Sequence, residues 1–207
     1  MKILITGTTG GIGGAVKRAA LAAGHTVVEV NRGGFDSLDA ALAPHAPFDA
    51  LVFTTGICPV RPLVAMTDAE FEETFRVNCG LLVKLMRHVV GKKLQGPRGM
   101  RVVAISSVSA TEGWAGGAAY CASKGALSAV CRALDVELKP KGISVVALEP
   151  RYVKTRMFDA CAGRMGVDPA LAIDPDDFAK KVLERVEGLG DGNHKERRDS
   201  QSPLCSL

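Results

Sequence analysis

The sequence predicts an α/β protein, a single domain built on a doubly wound parallel sheet. Three observations predict it. Short apolar runs alternate with longer segments of helical period. The runs have the continuous apolar character of strands buried on both faces. Small and polar residues collect where the runs end, and in such sheets ligands sit beyond the strand C-terminal ends. A chain of 207 residues suits one core, and no internal repeat or low-complexity linker divides it.

The elements follow in order. "KILITG" is an apolar run ending in glycine, a buried strand. In "GGAVKRAALAAG", Val16, Ala19, Ala20 and Ala23 recur at helical spacing, and Gly24 is a natural stop. "HTVVEV" is the second strand. "DSLDAALAP" is a short helix that Asp36 or Ser37 can cap. "DALVFTTG" is another strand ending in glycine. From Thr67 to Leu94 one long helical pattern begins with a capping box, Thr67 with Glu70. "MRVVAISS" is a strand, and a second long helix holds "YCASK" and stops at Pro140 and Gly142. "ISVVALEP" is the last clear strand, and "DPDDFAKKVLERVEGL" is the final helix. Residues 188–207 read as a polar tail.

Composition narrows the function classes. A net charge of +4, from 26 basic and 22 acidic residues, is too mild to imply nucleic acid. The basic run between Arg76 and Arg101 reads as a solvated helix end. None of the six cysteines forms a CxxC pair or a zinc-spaced cluster with histidine, so no metal is expected. Reduced thiols fit a reducing compartment. No apolar run has the length of a secretory signal or a membrane span, so the expectation is a cytoplasmic protein with no membrane partner.

Two short stretches carry chemistry. "TGTTGGIG", Thr6 to Gly13, lies between the first strand and the first helix. Glycines at 7, 11 and 13 permit a tight turn, close approach to a pyrophosphate and close helix packing. The helix start then favours a bound phosphate. A plain strand-to-helix turn is the other reading. The stretch does not end in G-K-[ST], so it is no nucleotide-hydrolysing loop. "YCASK" places Tyr120 and Lys124 on one helix face. A nearby ammonium favours a phenolate and lowers a tyrosine pKa, so the pair can exchange protons; a surface pair is the alternative. Ser106 and Ser107 end a strand at the same sheet edge, where a hydroxyl can bond a substrate oxygen or form a turn. Asn78 is a poor helix former in mid-helix, tolerated or functional.

Together these residues resemble the short-chain dehydrogenase/reductase family, from about residue 2 to residue 157. Thr6, Gly7, Gly11 and Gly13 match its T-G-x-x-x-G-x-G, and Tyr120 and Lys124 its Y-x-x-x-K. Its serine lies thirteen residues before its tyrosine, which selects Ser107, and Asn78 matches its helical asparagine. The resemblance implies a Rossmann-like oxidoreductase that passes a hydride between a nicotinamide and a small carbonyl or secondary alcohol. It implies Tyr120 as proton carrier, Ser107 as the group that polarises the substrate oxygen, and Lys124 as ribose ligand and pKa modifier. Asn78 would support a water relay. Gly7, Thr8, Gly11, Ile12, Gly13, Thr55, Gly56, Val153 and Thr155 would line the dinucleotide. The two long helices would pair copies into a homodimer or homotetramer through Leu81, Leu82, Leu85 and Val89 and through Ala126, Leu127, Val130 and Leu134.

The chain departs from the family pattern in three places. Phe53-Thr54-Thr55-Gly56 keeps the glycine but lacks the usual asparagine. Pro150-Arg151 stands for the usual Pro-Gly. Between Arg32 and Asp49 a full helix and strand scarcely fit, so the third strand should be rudimentary, near Gly34 to Asp36. At the end of the second strand, Asn31 removes the carboxylate that would bind an NAD ribose, and Arg32 can hold a 2′-phosphate. The expectation is NADP(H), with NAD(H) as the alternative. Two competing readings are a non-enzymatic dinucleotide-sensing or interaction protein on the same fold, and a sugar-nucleotide epimerase, which normally needs a larger C-terminal domain.

Overall fold

The computed structural model describes residues 1–188; the polar tail from 189 onward lies outside the described residues. Five parallel strands form one sheet in the order β2-β1-β3-β4-β5. They are β1 (Lys2–Thr6), β2 (Thr26–Val30), β3 (Ala50–Phe53), β4 (Met100–Ile105) and β5 (Ile143–Leu148). The helices are α1 (Gly11–Ala22), α2 (Leu38–Leu42), α3 (Asp68–Phe75), α4 (Leu81–Gly91), α5 (Ala118–Leu138), α6 (Arg156–Met165) and α7 (Pro175–Glu187).

Side chains alternate across a strand, so each central strand feeds two cores. On one face Leu4, Leu51, Phe53, Val102 and Ala104 meet α4 and α5 through Leu82, Leu85, Leu127 and Cys131. On the other, Ile3, Ile5, Val52, Val103 and Ile105 meet α1 and α7 through Val16, Ala20, Phe178 and Val182. This is the doubly wound arrangement that the continuous apolar runs foretell. It also covers the residues expected to pair copies of the chain. Leu81, Leu82, Leu85, Val89 and Leu127 are buried in the first core, and Ala126, Val130 and Leu134 pack against it.

The third strand is absent among the described residues rather than rudimentary. Arg32–Phe35 form a 3-10 turn that sinks Phe35 into the core, and α2 follows at once. The chain must return to pair Asp49 N–H with the Lys2 carbonyl at 2.9 Å, and too few residues remain for a crossover. β2 is therefore an edge strand, half exposed, and its Glu29 meets Lys17 at 2.5 Å.

The capping box forms as read: Glu70 N–H donates to the Thr67 hydroxyl at 3.2 Å and Thr67 N–H to the Glu70 carboxylate at 3.2 Å. The long pattern behind it is not one regular helix. Arg76–Gly80 widen into a π turn between α3 and α4, with Asn78 inside it. Ser37 holds the N-cap position of α2 without a side-chain bond. Sequence reading passed over α6. Its signal is Thr155, whose hydroxyl accepts from Phe158 N–H at 3.2 Å as an N-cap.

Candidate active site

At the end of β1 the chain turns sharply at Gly7, with φ +70°, before α1 begins at Gly11. A side chain at Gly11 would lie 2.5 Å from the Thr155 methyl, and one at Gly13 would strike the Gly7 carbonyl. The loop is thus pressed between α1 and the Thr155 segment. Thr54 secures it by donating to the Thr6 carbonyl at 2.6 Å. Beside it, Asn31 Oδ1 accepts from Thr8 N–H at 3.0 Å, and Asn31 Nδ2 donates to the Thr8 hydroxyl at 3.0 Å. Glu29 also accepts from the Thr8 hydroxyl, so it faces the loop. Thr8 is consequently turned behind the loop.

A cleft of about 840 Å³ opens over the strand ends. It is lined by Gly7, Gly11, Ile12, Gly13, Asn31 and Arg32 at one end and by Thr55, Gly56, Ser107, Tyr120 and Lys124 beyond them, with Val153 and Thr155 in the wall. Of the residues singled out in the sequence for the site, Thr6, Thr8 and Asn78 stand outside the lining. Arg76, from the π turn, joins Arg32 at the first end, where Glu73 holds it through bonds of 2.6 and 2.7 Å. Its signal was only an arginine two residues before Asn78, which no motif marks.

The structure separates the two serines. Ser106 Oγ donates to the Lys124 carbonyl at 3.1 Å and accepts from Ser128 Oγ at 2.8 Å, a buried structural link. Ser107 caps a short turn by accepting from Ser109 N–H at 3.1 Å, and its hydroxyl is near enough to the Tyr120 phenol to favour the phenolate. Lys124 is 5% exposed; its ammonium donates to the Ile105 carbonyl at 2.8 Å and lies 5.6 Å from the Tyr120 ring centre. Burial lowers its pKa to about 8. The tyrosine does not follow the expectation from sequence. Burial pushes the Tyr120 phenol well above its ordinary value, the neighbouring Cys58 adds to the rise, and Ser107 only partly offsets it. Desolvation of the buried phenol is the largest cause, and it penalises the charged form.

Asn78 is fully buried, and its amide is committed on both sides. Oδ1 accepts from Ile57 N–H at 2.7 Å, while Nδ2 donates to the Ile57 carbonyl and to Ser123 Oγ, each at 2.9 Å. It stands behind Gly56 beside the Lys124 ammonium. The π turn explains how a poor helix former sits there: the widened backbone aims one amide across to the strand-end loop. On the far wall, Arg151 is not a free cation. It forms a forked pair with Glu112 at 2.7 and 3.2 Å and lies over the Tyr152 ring. Trp114 reaches the cleft with its ring 6.3 Å from that of Tyr120.

A family model described as short chain dehydrogenase matches residues 35–165, which include Asn78, Ser107, Tyr120 and Lys124. The chain belongs to the short-chain dehydrogenase family. It is an oxidoreductase acting on CH–OH or C=O groups, as members of this family are. It is 30% identical over 182 residues to L-xylulose reductase of Bos taurus, covering 77% of this chain and 74% of the relative. It is 28% identical over 179 residues to a 3-oxoacyl-(acyl-carrier-protein) reductase of Rickettsia felis, covering 75% and 74%. A solved structure of a putative NAD(P)-dependent gluconate 5-dehydrogenase from Beutenbergia cavernae shares the fold, with a TM-score of 0.78 at 23% identity over 89% of this chain and 88% of that one.

This short-chain dehydrogenase fits the nicotinamide dinucleotide that its family uses. The Thr55 hydroxyl is buried with no partner among the described residues, although Thr55 lines the cleft. Gly11 and Gly13 leave no room for a Cβ against Thr155, Gly7 and Thr54, so the loop packs this closely only with glycine at both positions. Gly10 caps α1 without a side-chain bond, which leaves the helix start to an anion. Among the described residues no group of histidine, cysteine and carboxylate side chains is placed to hold a metal ion, and no helix is long and apolar enough to cross a membrane.

Proposed function

We propose that this enzyme is an NADP(H)-preferring oxidoreductase acting on a small carbonyl or secondary alcohol through Ser107, Tyr120, Lys124 and Asn78. One observation carries the reading: Ser107, Tyr120 and Lys124 converge in the cleft that begins at the glycine loop. A bound nicotinamide supplies the hydride. Tyr120 gives its phenolic proton to the reduced oxygen or takes it back in oxidation. Ser107 donates to the same oxygen and to charge developing on it. The Lys124 ammonium favours the phenolate that forms and can bond a ribose. Asn78 acts by holding Ile57, and so Gly56, against the cleft wall. Val153 and Thr155 would meet the carboxamide, Gly7, Gly11, Ile12 and Gly13 the pyrophosphate, and Thr55 and Gly56 the nucleoside, with Asn31 fixing Thr8 and the loop.

Arg32 is exposed at the cleft end where the adenosine would lie, which supports a 2′-phosphate partner. Arg32→Ala should weaken NADPH binding about tenfold, the scale of one charged hydrogen bond, and leave NADH binding nearly unchanged. Fluorescence titration with both dinucleotides checks this; unchanged NADPH affinity removes the preference. The same protein, tested with a panel of carbonyls by loss of nicotinamide absorbance, decides the function. Dinucleotide binding with no turnover across the panel favours the non-enzymatic sensor. A cytoplasmic homodimer or homotetramer is expected from the family resemblance.

A further inference from the structure

Two thiols meet at the wall of the cleft. Cys58 follows β3 and lines the cleft; Cys161 lies in the middle of α6 and is 4% exposed. Their sulfurs are 3.5 Å apart, although 103 residues separate them in the chain. The other described cysteines are placed differently. Cys79 and Cys131 belong to the core against α4 and α5, and Cys121 is half-buried on α5. Two buried thiols can be packing alone. This pair differs because one member faces the cleft, and because the two sulfurs are already in contact, at 3.5 Å against the S–S bond length of about 2.05 Å.

The two segments do different work. The Cys58 segment is fixed: Asn78 holds Ile57 by both backbone groups. Helix α6 carries Met157, Phe158 and Met165 into the cleft. Outside the thiol pair, these segments are joined by Arg164, which donates to the Val60 carbonyl at 3.0 Å. A covalent bond here would tie α6 to the segment that Asn78 holds.

We propose that Cys58 and Cys161 are an oxidation site whose intrachain disulfide tethers α6 and restricts the substrate end of the cleft. The oxidant is a small disulfide of the glutathione class. Cys58, reached through the cleft, loses its proton and attacks one sulfur of the oxidant, releasing one thiol. Cys161 loses its proton, displaces the second thiol and closes the protein disulfide. The two protein thiols are oxidised, and the small disulfide is reduced to two thiols that take up the two protons. Burial and the neighbouring Cys161 hold the Cys58 thiol protonated, so the reaction is slow and accelerates with pH. Such a bond is reversible and suits a compartment where thiols are otherwise reduced.

The restriction of turnover rests on the proposed function; the cross-link does not, and the experiment separates them. The full chain is treated with oxidised glutathione, its remaining thiols are alkylated, and it is digested without reductant. The expected product is a peptide pair joined through Cys58 and Cys161, two hydrogens lighter than its parts. Trypsin acting on the folded protein should cut more slowly after Arg156 and Arg164 in the oxidised form. Turnover should fall about tenfold and return with dithiothreitol. Cys161→Ser should keep the reduced-state turnover and lose all three responses; Cys161→Ala repeats the test if the serine variant unfolds. A disulfide through any other cysteine, or no disulfide at all, overturns the proposal. A Cys58–Cys161 bond with unchanged tryptic cleavage overturns the tether. A reduced protein inactive on every carbonyl sinks the functional reading, and the peptide mass still decides the cross-link.

Discussion

Tyr120→Phe should lower turnover by roughly 10²–10⁴-fold, the usual contribution of a positioned acid or base, while NADPH still binds. The substitution removes one oxygen and keeps the ring. That ring stays packed near Trp114 and over the Lys124 ammonium, so the fold should not change. The lost group is the proton that the reduced oxygen would receive. The pH profile gives a second check on the same machinery. Lys124 has its pKa lowered to about 8 by burial, so it is charged below that pH and loses its charge above it. Tyr120 is pushed the other way and stays protonated. For carbonyl reduction kcat/KM should hold up to pH near 8 and fall above, as the ammonium that stabilises the product phenolate disappears. Turnover of Tyr120→Phe within a few fold of the parent, or a profile that rises through pH 8, would remove Tyr120 and Lys124 from the mechanism.

Gly13→Ala should abolish dinucleotide binding and lower stability by about 1–3 kcal/mol, the cost of overpacking a tight contact. The added methyl would meet the Gly7 carbonyl and would lie 2.5 Å from Thr54 Oγ1. Neither is the loose end of a flexible side chain. The Gly7 carbonyl belongs to the turn itself, and Thr54 is bonded to Thr6. Relief therefore requires α1 to withdraw from the loop, which opens the phosphate cradle. Gly91→Ala, at the end of α4, is the control, because nothing lies within 4 Å of its added methyl. Thermal melts and NADPH titrations of the two variants should diverge. Equal binding in Gly13→Ala and the parent would show that the loop does not hold the phosphates.

Much of this was readable in the chain because the signals are local or regularly spaced. Apolar runs, the Thr67–Glu70 cap and the four-residue step from Tyr120 to Lys124 each depend on neighbours in sequence. Other features depend on what the fold brings alongside. The Tyr120 pKa is the clearest case: spacing puts an ammonium nearby, but the direction of the shift comes from desolvation by residues far along the chain. Glu29 turns to Thr8 because the edge strand and the glycine loop lie side by side. Of the residues of the two long helices that read as an interface between copies, Leu81, Leu82, Leu85, Val89 and Leu127 are buried against their own sheet, while Ala126, Val130 and Leu134 are only partly buried.

Periodicity and glycine spacing were enough to state a doubly wound sheet, to place Gly7 to Gly13 with Ser106 and Ser107 at one edge of it, and to put Tyr120 and Lys124 on one helix face; only the family resemblance joined Ser107, Tyr120 and Lys124 into one site. Those statements hold because strand and helix repeats, and the turn a glycine permits, are short-range properties of the chain. Packing alone showed that the third strand is missing, that Asn78 sits in a π turn gripping Ile57, that Arg76 joins Arg32, and that Cys58 meets Cys161 across 103 residues. Each of these is a contact between segments distant in sequence, and burial, which decides its energy, exists only once the sheet has brought them together.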